Sequence, residues 1–158
     1  QIVDYINGNQ FNLTINLVKE KDKILDTGGG VLNAIQHFSN LPFLIINPDT
    51  IWNSYYIKEL KLMEKSFFEN TKSKCSLLVV NKEKSFDQSL KGDFNLKNGL
   101  ISRKDKDDLN FIYTGFQIIK PEAFADLDIE VFSINMLRKP NFGRQHTESN
   151  LRHIVPKA

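Results

Sequence analysis

A single cysteine, Cys75, among 158 residues excludes an internal disulfide framework and fits a reducing compartment. It falls in an apolar run, Cys75-Ser76-Leu77-Leu78-Val79-Val80, where a buried and inert thiol is expected rather than a nucleophile. No apolar stretch approaches the roughly 20 residues of a membrane span, and the opening residues lack the pattern of a secretory signal. The expected location is therefore cytoplasmic, with no membrane partner. Net charge is also lacking: 21 Lys and Arg stand against 19 Asp and Glu, and the resulting +2 is too small to point to nucleic acid. Several signatures are missing as well. The phosphate loop GxxxxGK[ST] is absent, and the dinucleotide fingerprint GxGxxG starts at Gly28-Gly29-Gly30 but meets Asn33 where a small residue is needed. No serine stands in GxSxG, which removes support for a hydrolase triad. His37 reads as a packing residue near a helix end, and neither His146 nor His153 has partners at metal-site spacing.

What is present is ordinary globular material. Hydrophobic residues make up 41% and charged residues 25%, enough for one domain with a sizeable core. Gln1-Ile2-Val3-Asp4-Tyr5-Ile6 reads as a helix stopped by Asn7-Gly8, and Phe11 to Leu17 alternates apolar and polar as a half-buried strand does. Ile57, Leu60, Met63 and Phe67 recur at helical spacing, predicting a helix over about Ser54–Asn70 before a strand from Cys75 to Asn81. Asp93–Leu96 and Leu100–Arg103 flank Lys97-Asn98-Gly99, the pattern of a hairpin with an Asn-Gly turn. Phe111–Ile119 is a long strand with Gly115 inside it, where a bulge or a close ligand approach is expected. Pro121 suits the first turn of a short helix, and another is expected from Ser133. From Lys139 onward periodicity fades, and no element is predicted. Helices alternating with strands, followed by a hairpin, indicate an α/β domain with a mixed sheet.

The most informative stretch is Ile24 to Asn53. Asp26-Thr27-Gly28-Gly29-Gly30 leads into an amphipathic helix carrying Val31, Ala34, Ile35 and Phe38. The apolar run Phe43-Leu44-Ile45-Ile46 then reads as a strand buried on both faces, and it ends in Asn47-Pro48-Asp49-Thr50. A carboxylate just past a strand's carboxyl end lies where open α/β sheets bind ligands. Three glycines in a row cost backbone entropy on folding, so some close approach should require them. At a helix start they would bring a ligand against unpaired N–H groups. A merely tight loop explains the glycines about as well, and turn chemistry alone accounts for Asn-Pro-Asp-Thr. Gly92-Asp93 and Thr114-Gly115 fit a sugar pocket no better than they fit hairpin geometry.

Together, Leu25-Asp26-Thr27-Gly28-Gly29-Gly30, Pro42 through Trp52, Gly92-Asp93-Phe94 and Tyr113-Thr114-Gly115 resemble one family over about Gln1–Leu137. It is the sugar-1-phosphate nucleotidyltransferases, in the subgroup of the N-acetylmuramate-1-phosphate uridylyltransferases and mannose-1-phosphate guanylyltransferases. The resemblance implies a Rossmann-like mixed, mainly parallel sheet with flanking helices and an antiparallel hairpin. It also implies transfer of a nucleotidyl group from UTP or GTP to a sugar-1-phosphate, through in-line attack at the α-phosphorus. By the same analogy Thr27, Gly28, Gly29, Gly30 and Asn47 border the nucleotide, Asp49 holds Mg²⁺, and Gly92, Asp93, Thr114 and Gly115 border the sugar phosphate. No catalytic residue is assigned.

The sequence departs from the family in three places. Nothing matches its glycine-rich signature loop with arginine and downstream lysine, or its second metal-binding aspartate. Pro48 replaces the glycine or serine usual before the metal aspartate. Residues 1–138 are accordingly expected to be a partial, N-terminally truncated transferase domain, inactive alone, with 139–158 as a tail. Self-association through the sheet edge so exposed is expected. The alternative is a non-catalytic nucleotide- or sugar-binding module of the same fold.

Overall fold

A computed structural model of the chain describes residues 1–20, 22–97, 100–102, 109–125, 127, 131–138 and 151–154. Among the described residues there are three α-helices: α1 (Ile2–Asn7), α2 (Asp26–Ala34) and α3 (Tyr56–Glu69). The strands are β1 (Phe43–Ile46), β2 (Cys75–Asn81), β3 (Asn95–Lys97), β4 (Leu100–Ser102), β5 (Phe111–Ile119) and β6 (Leu151–Ile154). They form one sheet in the order β1-β5-β2-β6-β4-β3. Strand β5 pairs antiparallel with both β1 and β2, β2 and β6 pair parallel, and β4 pairs antiparallel with β6 and with β3. Strands β1, β2, β6 and β3 thus share one direction. Because β5 lies between β1 and β2, the shared direction yields only one parallel pairing among the described residues, β2 with β6. The sheet is mixed, as its pattern implies, and its pairings are mainly antiparallel.

Two apolar clusters sandwich this sheet. On one face Phe43, Cys75, Leu77, Val79 and Ile119 pack with Phe124 and Phe132, and Val31 and Leu32 of α2, with Ile35 just after it, close over them. On the other face Leu78, Phe116 and Ile118 meet Met63 and Phe67 of α3, with Trp52 and Leu60 at the margin. Alternation along the strands assigns the faces: Phe43 and Ile45 point to the α2 side, while Leu44 and Ile46 point to the α3 side. The apolar spacing of α3 places Met63 and Phe67 on its buried stripe, as the sequence predicts. Cys75 is buried as expected.

Three expectations are corrected. Phe11–Leu17 forms no strand; Phe11, Leu13 and Leu17 are exposed, and the alternation finds no neighbouring strand to pair with. Strand β1 is not covered on both faces but lies at an edge of the sheet, with Leu44 and Ile46 exposed. The region after Lys139 does contain an element: β6, inserted between β2 and β4. The predicted turn residues Asn98 and Gly99, and the histidine at 146, lie outside the described residues. Among the described residues no helix is long and apolar enough to cross a membrane.

Candidate functional site

The carboxyl end of β1 is fastened to the interior of β5. The Asn47 N–H donates to the Gly115 carbonyl at 2.8 Å, and the Thr50 hydroxyl donates to the Thr114 carbonyl at 3.1 Å. Gly115 has φ +88°, which favours glycine, and a Cβ there would sit 2.6 Å from Thr50 Oγ1 and 3.0 Å from Asn47 Cβ. The glycine therefore serves the expected close approach, and its occupant is the 47–50 turn of the chain itself. The expected bulge is present too. Leu77 faces Gln117 while Val79 faces Tyr113, so β5 carries extra residues over this stretch. The Thr114 hydroxyl donates to the Leu78 carbonyl at 2.8 Å across that irregularity. Between Asn47 and Thr50, the Asp49 carboxylate is exposed and makes no hydrogen bond or ion pair among the described residues. Trp52 then turns back under α3, edge-on to Tyr56 at 4.7 Å between ring centroids.

The glycine run behaves differently from its expected role. Gly28, Gly29 and Gly30 lie inside the first turns of α2 rather than in a loop before it. The Gly28 and Gly29 N–H groups both donate to the Phe132 carbonyl, at 2.8 and 3.1 Å. A Cβ on Gly28 would stand 2.3 Å from the Phe132 ring and 2.7 Å from its carbonyl oxygen. The Thr27 hydroxyl accepts from the Ile134 N–H at 3.0 Å, and the Phe132 N–H donates to the Leu25 carbonyl at 3.2 Å. The amides of Gly28 and Gly29 are thus turned to the chain's own 132–134 segment and not to an open crevice. Ahead of them Asp26 takes a left-handed backbone, φ 60°, with its carboxylate accepting from the Thr27 N–H. Phe132 was invisible as a partner in sequence, because nothing about an isolated Phe at that position signals a carbonyl capping a helix start 100 residues upstream.

Thr27 and Gly30, by contrast, do face open space. They line a cavity of about 540 Å³ with Asp26, Val31, Ala34, Phe38, Phe43 and Ile45. Phe38 stacks on Phe43 at 4.2 Å, and Gly30 and Val31 share this cavity with Ile45, so α2 runs back along β1. Its amino end consequently lies at the end of the sheet where Asn47 and Asp49 leave β1, although neither residue lines the cavity.

The remaining candidates lie further along β5. The Asp93 carboxylate accepts from the Tyr113 N–H at 2.9 Å, and the backbone N–H groups of Asp93 and Phe94 donate to the Phe111 carbonyl. A Cβ on Gly92 would be 1.9 Å from the Leu109 carbonyl oxygen, so that glycine permits a backbone crossing. Gly92 also borders a smaller cavity of about 350 Å³ with Lys82, Gln88 and Lys91. Among the described residues no cluster of three or more His, Cys, Asp or Glu is placed to hold a metal. A lone carboxylate nevertheless suits Mg²⁺, which keeps several waters and is often bound by one or two carboxylates plus substrate phosphates. The free Asp49 meets that requirement. Next to Gln88 of that smaller cavity, the Asp87 carboxyl has its pKa lowered by hydrogen bonds from the Ser89 hydroxyl and N–H.

This arrangement matches solved structures across nearly the whole chain. HddC from Yersinia pseudotuberculosis, crystallised in complex with GMP-PN, superposes with a TM-score of 0.69 at 21% identity, covering 99% of this chain and 64% of its own. The chain shares that protein's fold. A Bacillus anthracis protein assigned as a glucose-1-phosphate thymidylyltransferase, in complex with a sucrose, matches with a TM-score of 0.52 at 15% identity over 87% of this chain and 55% of its own. In sequence, the chain is 26% identical over 121 residues to the N-acetylmuramate alpha-1-phosphate uridylyltransferase of Caulobacter vibrioides. That match takes in 76% of this chain and 50% of the enzyme, so the chain spans about half the length of this curated relative. No family model matches the chain.

Proposed function

We propose that the chain serves the transfer of a nucleotidyl group from UTP or GTP to a sugar-1-phosphate, giving a nucleoside-diphosphate sugar and pyrophosphate for cell-wall or polysaccharide precursors. One observation carries this reading. The 47–50 turn is locked onto the β5 bulge at Thr114 and Gly115, and the lock holds an unpartnered carboxylate, Asp49, at the carboxyl end of β1. In such a reaction a sugar-phosphate oxygen attacks the α-phosphorus as the bond to pyrophosphate breaks. The requirement is positioning and charge neutralisation rather than a covalent nucleophile. Asp49 would hold Mg²⁺, which when bound neutralises phosphate charge. Asn47, held by its backbone to Gly115, would lie beside the ribose, and Thr27 and Gly30 would border the nucleotide from the helix side. Gly92, Asp93, Thr114 and Gly115 would border the sugar phosphate as backbone-built walls, and a cytoplasmic location fits the substrates. A second reading draws on a specific observation. The amides of Gly28 and Gly29 are already taken by Phe132, so they add nothing to Asp49 in gripping a triphosphate, and the second reading is a module of this fold that binds nucleotide or sugar without turnover.

Thermal-shift titration with UTP and GTP, with and without Mg²⁺, separates the two. The transferase reading expects metal-dependent stabilisation by one of the nucleotides that disappears in Asp49→Ala. At a nucleotide concentration a hundredfold above its dissociation constant, the stabilisation would be about 2.7 kcal/mol. Equal stabilisation with and without metal, unchanged in the variant, supports the second reading instead.

A further inference from the structure

In a regular strand successive carbonyls face opposite neighbours, yet two successive carbonyls of β5 serve the same segment of chain. The Thr114 carbonyl accepts from the Thr50 hydroxyl at 3.1 Å, and the Gly115 carbonyl accepts from the Asn47 N–H at 2.8 Å. The left-handed φ of +88° at Gly115 breaks the alternation that would part them. The same bulge opens the ladder to β2. Between the pairs Leu77–Gln117 and Val79–Tyr113, three residues of β5 stand opposite Leu78 alone. The Thr114 hydroxyl fills that gap by donating to the Leu78 carbonyl at 2.8 Å. The contacts thus run in series from the interior of β2 to the turn: Leu78 carbonyl, Thr114 hydroxyl, Thr114 carbonyl, Thr50 hydroxyl. Asp49 directly precedes Thr50.

Proton counting decides what the two hydroxyls can do. A hydroxyl carries one hydrogen, and a backbone carbonyl can only accept. The Thr114 proton is therefore committed to Leu78, and the Thr50 proton to Thr114. Neither hydroxyl has a donor left for an ionised phosphate oxygen, which only accepts. We propose that Thr50 and Thr114 are positioning residues for the Asp49 carboxylate, acting in series, rather than ligands of the substrate. The inference rests on the nucleotidyl-transfer reading, in which Asp49 holds the cation. Groups that orient a metal's ligands without touching the metal typically change its affinity by about 10–100-fold when altered. Here the link passes through the backbone of the turn. Releasing Thr50 would leave that turn fastened to β5 on one side of Asp49, at Asn47, instead of on both.

Calorimetric titration of the 158-residue chain with UTP and with GTP, each in Mg²⁺ and in EDTA, tests the proposal. Thr50→Val and Thr114→Val keep the side-chain shape and lose the hydroxyl. Each is expected to raise the nucleotide dissociation constant about tenfold in Mg²⁺ and to change it less than about twofold in EDTA. Thr50→Ser and Thr114→Ser restore the hydroxyl and are expected to return the constant to within about threefold of wild type. Because both hydroxyls act on one series, the double valine variant should lose no more than the larger single loss. Urea denaturation shows which variants are folded under these conditions; if Thr114→Val is not, the Thr50 variants decide. An unchanged constant in the valine variants overturns the inference. So does an equal loss with and without metal, a loss that serine does not recover, or a loss in the double variant equal to the product of the single ones. These failures lie in the threonine variants alone. A wild-type chain that binds no nucleotide, or binds it equally in Mg²⁺ and EDTA, overturns the nucleotide reading and this inference with it, as does Asp49→Ala retaining the metal effect.

Discussion

The three consecutive glycines do unequal work, and the inequality is measurable. Gly28 sits where a methyl group would collide with both the ring and the carbonyl of Phe132, neither of which is a flexible tip. Gly30 would meet only the end of the Glu20 side chain, at 3.2 Å. Both lie within α2, where Ala is favoured over Gly by about 1 kcal/mol. Gly30→Ala should accordingly be neutral or stabilising by up to about 1 kcal/mol, while Gly28→Ala should lose about 1–3 kcal/mol through overpacking. Urea denaturation of the two variants checks the pair, and equal effects at both positions would contradict the assigned contacts. Gly115 is constrained in a different way, by its left-handed φ of +88° as well as by Thr50 and Asn47. Gly115→Ala should cost about 1–3 kcal/mol from backbone strain, with a further loss from the clash. It should also loosen the 47–50 turn, visible as faster exchange of the Asn47 amide. Unchanged stability there would remove the case for a clamped turn.

At the level of elements, what could be read from sequence was whatever depended on neighbours along the chain. Strands β2 and β5 begin and end where their apolar runs do, and α3 follows its three-and-four spacing. The bulge in β5 was legible because a glycine inside a strand has few other uses. Pairing across the sheet was not legible. The run Phe43-Leu44-Ile45-Ile46 looks like a central strand, and only the sheet order puts it outermost among the described residues. Residues 11–17 carry a strand's alternation, but pattern alone cannot supply the neighbour whose hydrogen bonds would make the strand. The short β6 has too few residues for a period to show, and its place between β2 and β4 is settled by the sheet. In the candidate site the same division holds. Asn47, Asp49, Thr114 and Gly115 were singled out through the family resemblance, since turn and hairpin chemistry explained them as well; the structure fastens Asn47 to Gly115 and Thr50 to Thr114. Thr50, whose hydroxyl completes the fastening, carried no signal beyond following Asp49. Phe132 carried none at all.

The whole chain spans about half the length of its curated relative. Asp49 is the one free carboxylate on the 47–50 turn, with no cluster of three or more ligating side chains among the described residues to join it. A pyrophosphate-release assay on the 158 residues alone, with UTP or GTP, Mg²⁺ and a panel of sugar-1-phosphates, should therefore show no turnover above background even where nucleotide binding is detected. Robust release would mean that the groups on these residues suffice for the chemistry. The stitching of α2 to the 132–134 segment also bears on how the chain acquires its shape. The Thr27–Ile134 hydrogen bond spans 107 positions, so the start of that helix is not tied down until residues 132–134 have been made and can reach it. Contacts between such remote positions slow folding, and until they close, the apolar side of α2 stays uncovered.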